Sequence, residues 1–503
     1  MAVRCRTQRA TVRKRTEILK MPVRSCHMNR HGKLRRMFTV SAVVLVAQLI
    51  GFATSLHALM GARTAPGTVA WVVSLNTIPY LAVPAYWVFG RSRVDDYVQI
   101  RRQRVTSLNE LLESHRAELD PFRTEWTDQD PQFRTVEQLA HIPFVDGNHA
   151  ELLIDGSAIF ESIFDGIDAA ENYLLVQFYI VRDDQRGREL QRRLIRKARE
   201  GVRVYVLFDS IGSLELSSSY ISELTEAGVE IRSFFQSESW IDRFQLNFRN
   251  HRKLVIADGK VGWVGGLNIG DEYESDGWRD AHVKIEGPAV LNLQLSFLED
   301  WRWVTEDLPA VSWHPQPVAN DGVPILVIPT GPADQFETAS LMVQQFIHLA
   351  EERIWISSPY LVPDEGVVAA LKLAALGGLD VRLLMPEHGD SRLADLAAHN
   401  YMDILSAAGV RIFRYQPGMM HAKVFLIDNL GAAVSTVNMD NRSFRLNFEL
   451  TALVADPVFA GEVERMFEVD FASSREMDDD AVADMPLWFR IASRGANLFA
   501  PAL

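Results

Sequence analysis

Cysteine is nearly missing from this 503-residue chain: Cys5 and Cys26 are the only two, both near the amino terminus. A disulfide-stapled scaffold is therefore excluded, and a reducing compartment is the easier fit. Acidic residues are missing from the same region, where twelve Lys and Arg within residues 1–36 face only Glu17. The net charge of −13 thus divides into +11 for this leader and −24 for the remainder. So acidic a body argues against nucleic acid as a partner, because phosphate neutralisation supplies most of that affinity. Charge of either sign is missing from two long runs, Met37–Ala62 and Thr64–Gly90, of 26 and 27 residues, with Arg63 between them.

A bilayer core takes about 20 such residues in a helix, so each run can cross it. The first is longer than the apolar region of about 7–15 residues in a cleaved signal peptide, and a second run follows at once. Trp71, Tyr80, Tyr86 and Trp87 suit the membrane interfaces. The sequence thus predicts two transmembrane helices, 37–62 and 64–90, behind a basic leader, 1–36. Arg-rich flanks, the leader and "RSRVDDYVQIRRQR" (91–104), place both ends on the cytoplasmic side. The leader also has the composition of a transit peptide, and Met21, Met28 and Met37 are alternative starts.

After a polar linker, 91–140, the chain repeats itself. "ENYLLVQFYIVRDD" (171–184) is answered by "EERIWISSPYLVPDE" (351–365), "GVRVYVLFD" (201–209) by "GLDVRLLMP" (378–386), and "EAGVEIRSFF" (226–235) by "SAAGVRIFRY" (406–415). Each half alternates helices and β-branched strands. The fold class is α/β: two pseudo-symmetric lobes of mixed sheets flanked by helices, over 141–310 and 320–490. The first half carries an extra segment near "QSESWIDRFQL" (236–246), whose Trp240 and Phe244 either touch lipid or pack inside the loop.

The repeat also carries the chemistry. "HRKLVIAD" (251–258) returns as "HAKVFLID" (421–428). Alternation along a strand points His251 with Lys253, and His421 with Lys423. Asp258 and Asp428 close the two motifs, and Asp-Gly at 258–259 is a hairpin signal. Asn268 and Asn438 each lie seventeen residues after their histidine, and an acid follows in each half, Asp280 and Glu449. Two such copies face to face suit phosphodiester transfer. One imidazole attacks phosphorus and the other protonates the leaving alcohol. The lysines and asparagine amides neutralise the oxygens, and a carboxylate behind each imidazole fixes its tautomer. No metal is expected, since lysine is a poor ligand and the spacing fits no common zinc pattern.

On these motifs the chain resembles the phospholipase D superfamily, and within it the bacterial cardiolipin synthases. The supporting stretches are "TIPYLAVPAYWVFG", "NFRNHRKLVIADGKVGWVGGLNIGDEY", "WRDAHVKIEGPAV", "SPYLVPDEGVVAALKLAALGGLDVRLLMP" and "YQPGMMHAKVFLIDN". The resemblance runs from about Met37 to the carboxyl terminus. It implies two phospholipase D-like lobes and a phosphatidyltransferase that needs no cofactor. The reaction it implies joins two phosphatidylglycerol molecules into cardiolipin and glycerol through a phosphatidyl-histidine. His251 would be the nucleophile, His421 the general acid, and Lys253 and Lys423 the phosphate holders. Asn268 and Asn438 would bind substrate, and Asp280 and Glu449 would orient the histidines. Asp258 and Asp428 belong to the catalytic motifs but order them rather than touch substrate. It also implies a multi-pass protein of the inner (plasma) membrane, lobes cytoplasmic, with phosphatidylglycerol and anionic lipids as partners. The rivals are a phospholipase D that transfers to water and gives phosphatidic acid, another phosphatidyltransferase of the superfamily, a nuclease of the superfamily, or a silent membrane scaffold. Gly266 stands where many members have serine, and Ser435 stands where glycine is usual before Thr436.

Two weaker features remain. "RGRELQRRLIRKAR" (186–199) reads either as a surface for anionic headgroups or as the solvated face of a covering helix, the latter being favoured. "REMDDDAVADMP" (475–486) reads as a solvated acidic stretch.

Overall fold

A computed structural model describes residues 30–60, 65–87, 117–126, 131–234, 248–318, 322–477 and 485–500. The chain divides into two compact units, Met1–Ser92 and Arg93–Leu503.

In the first unit, α1 (Arg30–Met60) starts inside the basic leader, where Lys and Arg favour helix. Its stretch Thr39–Met60, 22 residues, is long and apolar enough to cross a membrane. Val40, Leu49 and Leu59 on it are exposed, which a soluble core helix would not allow. The second apolar run is not the single helix expected over 64–90. It forms α2 (Ala65–Thr77) and α3 (Pro79–Ala85). Proline clashes with helical geometry at the residue before it, and Ile78 turns out of the helix to φ −134°, ψ 58°. At Gly51 the backbones approach so closely that a Cβ there would lie 2.2 Å from the Leu75 carbonyl oxygen. Beside it, Asn76 donates to Ser55 Oγ at 2.7 Å. Residues 1–29, Arg63 and 88–116 lie outside the described residues.

The second unit is built on one long sheet. Its first lobe has β1 (Val145–Ile154), β2 (Tyr173–Phe178), β3 (Arg203–Asp209), β4 (Glu230–Phe234), β5 (Arg249–Asn250), β6 (Leu254–Ala257), β7 (Val261–Gly265), β8 (Trp278–Arg279) and β9 (Ala281–Glu286). The second has β10 (Val323–Thr330), β11 (Arg353–Ser357), β12 (Leu361–Val362), β13 (Asp380–Pro386), β14 (Arg411–Tyr415), β15 (Met419–Met420), β16 (Val424–Ile427), β17 (Gly431–Ser435), β18 (Met439–Asp440), β19 (Asn447–Val454) and β20 (Ser474–Glu476). From the central antiparallel pair β1–β10, the order outward is β9, β7, β6, β2, β3, β4 on one side. On the other it is β19, β17, β16, β11, β13, β14, with β20 added at that edge. The repeat read from sequence is therefore a pseudo-twofold. The outer strands β2–β3–β4 and β11–β13–β14 are parallel, which requires crossover helices. These helices, Gln185–Arg199, Ser218–Glu226, Glu365–Leu376 and Arg392–Ser406, end at Gly201, Gly228, Gly378 and Gly409. All four glycines have φ between +91° and +98°, the left-handed turn that stops a helix.

Helices Val290–Thr305 and Pro457–Ala472 cover the other face with Phe297, Trp301, Phe467 and Phe471, and this middle core is shared by both lobes. Truncating a side chain such as buried Trp301 to alanine costs about 3–5 kcal/mol. Helix Pro131–Ala140, ahead of β1, packs Phe133 and Val136 into the second-lobe core. The basic helix is a covering layer: Arg186, Arg188, Arg193 and Arg196 pair with Glu274, Asp183 and Asp168 around it. Trp240 and Phe244 lie outside the described residues, as do positions 478–484 of the acidic stretch.

Candidate active site

Each motif hangs on a short central strand. The apolar run Leu254–Ala257 is β6, buried between β2 and β7, and Val424–Ile427 is β16, buried between β11 and β17. The histidine stands at one end and the aspartate at the other. At roughly 3.3 Å per residue, Asp258 lies about 20 Å along the chain from His251 and cannot share its substrate. The structure accordingly leaves both motif aspartates outside the histidine cluster. Asp258 has φ +55° and accepts from the N–H groups of Glu171, Asn172 and Tyr173 at 2.8, 2.7 and 2.8 Å. Asp428 has φ +48° and accepts from those of Glu351, Glu352 and Arg353 at 2.8, 3.0 and 2.6 Å.

At the other end the lobes exchange. β5 leads into His251 and pairs in parallel with β19, which carries Glu449. β15 leads into His421 and pairs with β8, which ends beside Asp280. The backbone N–H of His251 donates to the Phe448 carbonyl at 2.9 Å, and that of His421 to the Arg279 carbonyl at 2.7 Å. This register sets each imidazole against the acid of the opposite lobe. His251 Nδ1 donates to Glu449 Oε2 at 2.9 Å and lies 3.1 Å from the Thr436 carbonyl oxygen. His421 Nδ1 donates to Asp280 Oδ2 at 2.7 Å. Carboxylate and carbonyl oxygens only accept, so Nδ1 carries a proton in both rings, and a neutral ring keeps its lone pair on Nε2.

Both lysines are fully buried beside the imidazoles. Lys253 Nζ donates to the His251 carbonyl at 2.7 Å, and Lys423 Nζ donates to the His421 carbonyl and lies 3.0 Å from His421 Nδ1. Burial drives the Lys253 ammonium well below its usual value and the Lys423 ammonium to about 8, against the pull of Glu449 and Asp280. Burial also lowers His251 to about 4, with Glu449 opposing and both lysines adding to the shift. His421 is lowered by burial and by Lys423. Burial alone would raise the two acids, but their histidines and lysines win: Asp280 falls to about 2, and Glu449 is also lowered. These shifts favour neutral imidazoles against two ionised carboxylates, with Lys423 an ammonium below about 8.

The asparagines part ways. Asn268 Oδ1 accepts from the Ile180 N–H at 3.1 Å, and its amide donates to the Tyr273 hydroxyl at 3.3 Å. Asn438 Oδ1 is buried with no hydrogen-bond partner, in the wall of a cavity of about 230 Å³. His251, Tyr179, Tyr360, Arg249 and Arg442 line the same cavity. The sequence reading did not single out Tyr179, whose ring lies 5.0 Å from that of His251, nor Trp278, 5.3 Å from His421. It also missed Thr436 and Asn447, which donate to Glu449 at 2.6 and 3.0 Å. Tyr179 had a signal, its repeat at Tyr360; the others have none in the repeat. Among the described residues, no three His, Cys, Asp or Glu side chains are grouped to hold a metal ion.

A single centre assembled from two pseudo-symmetric lobes, each giving one histidine and one lysine, defines a phosphodiester-transferring protein of the phospholipase D type. The family model described as "Cardiolipin synthase, PLD-like domain" matches residues 163–301 and 343–471. Cardiolipin synthase A of Pseudomonas fluorescens Pf-5 is 43% identical over 475 residues, covering 92% of this chain and 98% of that one. Cardiolipin synthase A of Pseudomonas aeruginosa LESB58 is 44% identical over 470 residues, covering 91% and 94%. Among solved structures, phosphatidylserine synthase of Haemophilus influenzae Rd KW20 superposes with a TM-score of 0.57 at 14% identity, over 74% of this chain and 100% of that one, a likeness of fold. The chain belongs to the cardiolipin synthase family of phospholipase D-like proteins. It is an enzyme of phosphatidyltransferase type, membrane-associated and acting on phospholipids.

Proposed function

We propose that the enzyme joins two phosphatidylglycerol molecules into cardiolipin and glycerol. The observation that carries this reading is the crossed pair of histidine–carboxylate contacts around two buried lysines. His251, neutral and facing the cavity, attacks phosphorus through Nε2, and the bond to the headgroup glycerol breaks. His421, charged by a proton from solvent that Asp280 helps it hold, gives that proton to the glycerol and then takes one back from the hydroxyl of the second phosphatidylglycerol, which displaces His251. Glu449 and Asp280 stabilise each imidazolium as it forms, and Lys253, Lys423 and Asn438 hold the phosphate oxygens. Asp258 and Asp428 fix the turns that frame the motifs. The Arg-rich flanks favour a membrane hairpin with the lobes on the cytoplasmic side of the inner membrane. Together Ala65–Thr77 and Pro79–Ala85 would span about 30 Å at 1.5 Å per residue, enough for a second crossing.

Water at about 55 M competes for the covalent intermediate, but a positioned hydroxyl is worth an effective molarity of about 10⁵ M or more. Labelled phosphatidylglycerol in vesicles should therefore give mainly cardiolipin, with phosphatidic acid minor, and a chelator should change nothing. His251→Ala and His421→Ala should each abolish turnover, the double variant being scarcely worse than either. Dominant phosphatidic acid at high phosphatidylglycerol would replace this reading with a hydrolase.

A further inference from the structure

The C-terminal helix Leu487–Asn497 is glued down by one face only. Ser493 and Ala496 are buried, Phe489 meets the His399 ring edge-on at 5.0 Å, and Ala496 and Ala500 pack with Ala397 and Val362. The opposite face should be polar in a soluble protein. Here it carries Leu487, Trp488 and Ile491, which are 71%, 69% and 63% exposed, and runs on into exposed Leu498 and Phe499. Arg490 and Arg494, one turn apart, are exposed on the same helix. A large aromatic and aliphatic face flanked by arginines is the composition of a helix lying in an anionic membrane interface.

Its position bears on the substrate. The helix rests on Arg392–Ser406, whose leading residues Ser391 and Ala394 line the His251 cavity, and Val362 belongs to both the cavity wall and the helix contact. Exposed Leu393 lies between those two lining residues. On the first lobe, Ser213 donates to the Tyr179 carbonyl at 3.1 Å and so ties its loop to another cavity wall. That loop presents Ile211 and Leu214, both exposed. Exposed apolar side chains thus stand, in both lobes, on segments joined to the wall of this cavity.

We propose that the outward face of the C-terminal helix, with Leu214 and Leu393, is a membrane-contact surface that seats the mouth of the His251 cavity in the headgroup layer of an anionic bilayer. The proposal rests on the reading that this cavity receives a phospholipid headgroup. Seated so, a lipid presents its phosphate to the histidines without leaving the leaflet.

The test uses the full chain with Leu487, Trp488 and Ile491 all changed to serine. In vesicles of phosphatidylglycerol its turnover should fall on the order of tenfold or more, since three apolar side chains lose their burial. Turnover of dispersed dihexanoyl phosphatidylglycerol by detergent-held protein should stay within about twofold, as the site itself is untouched. Equal losses on both substrates, or none on vesicles, would overturn the proposal. Independently, Ile491→Cys in a chain with Cys5 and Cys26 changed to serine takes an environment-sensitive dye, and lipids brominated in their acyl chains should quench it. A dye that stays in water, or one shielded instead by a second copy as protein concentration rises, would overturn it too. If the unaltered chain makes no cardiolipin from either substrate, the functional reading fails instead, and the dye result still decides the surface.

Discussion

The two lobes place the same histidine, lysine and aspartate on the same strands, yet they finish the job differently. Glu449 is held by three groups: His251, the Thr436 hydroxyl and the Asn447 amide. Asp280, one methylene shorter, holds His421 and is otherwise met by the Ala281 N–H at 2.9 Å. Gly266 occupies the position of Thr436, and a Cβ there would lie 2.2 Å from Asp280 Oδ1. The longer acid comes with a hydroxyl beside it and the shorter acid with none. Behind them the asymmetry persists: Asp300 takes Arg252 of its own lobe at 2.8 Å, whereas Asp470, raised to about 6 by burial, takes Arg279 of the other at 2.9 Å. Pseudo-symmetry supplies two equal tools, and local substitutions give them unequal settings, as attack and protonation require.

The sharpest way to break this comparison is to neutralise the acids. Glu449→Gln and Asp280→Asn should each lower kcat by about 10³–10⁴-fold, as a lost tautomer does in a catalytic triad. Steady-state kinetics on phosphatidylglycerol vesicles would show it; a loss confined to one variant would mean that only one histidine needs its acid. Exchanging the neighbours comes next. Gly266→Ser forces a side chain against Asp280 and should cost about 10²-fold, while Thr436→Val, which removes one donor to a buried carboxylate, should cost about tenfold.

The lysines give a pH signature. Lys423 is an ammonium below about 8, so kcat/KM should fall as pH rises through that value. Lys423→Arg should push that alkaline limb upward, and a limb that stays put would assign it to another group. The smallest effect on chemistry belongs to the motif aspartates. Asp258→Ala and Asp428→Ala each remove the acceptor of three backbone N–H groups, two exposed to water and one part-buried, at Tyr173 or Arg353, so denaturant unfolding should show a loss of about 1–2 kcal/mol while kcat of the folded fraction holds.

The repeat, the paired histidines and lysines, and the strand-to-turn role of the motif aspartates were legible because they are local patterns of period and spacing. The crossing was not. His251 meets an acid 198 residues on and His421 one 141 residues back, and sequence spacing suggests partners within a half rather than across halves. Nor was it legible that Asn268 is consumed by its own lobe while Asn438 faces the cavity, since the two sit in equivalent positions and differ in what surrounds them. Pro79 was on view in the second apolar run, but composition outweighed it in reading one helix where two form.

The exchange of strands between lobes also sets a timetable for synthesis. β5 and His251 leave the ribosome long before β19, so the first histidine waits for nearly two hundred more residues before its acid exists. With chain growth at about 5–20 residues per second, that wait lasts on the order of ten seconds or more. A nascent chain whose first motif has emerged cannot yet form a competent imidazole pair, so no truncated product ending before Glu449 should cleave lipid.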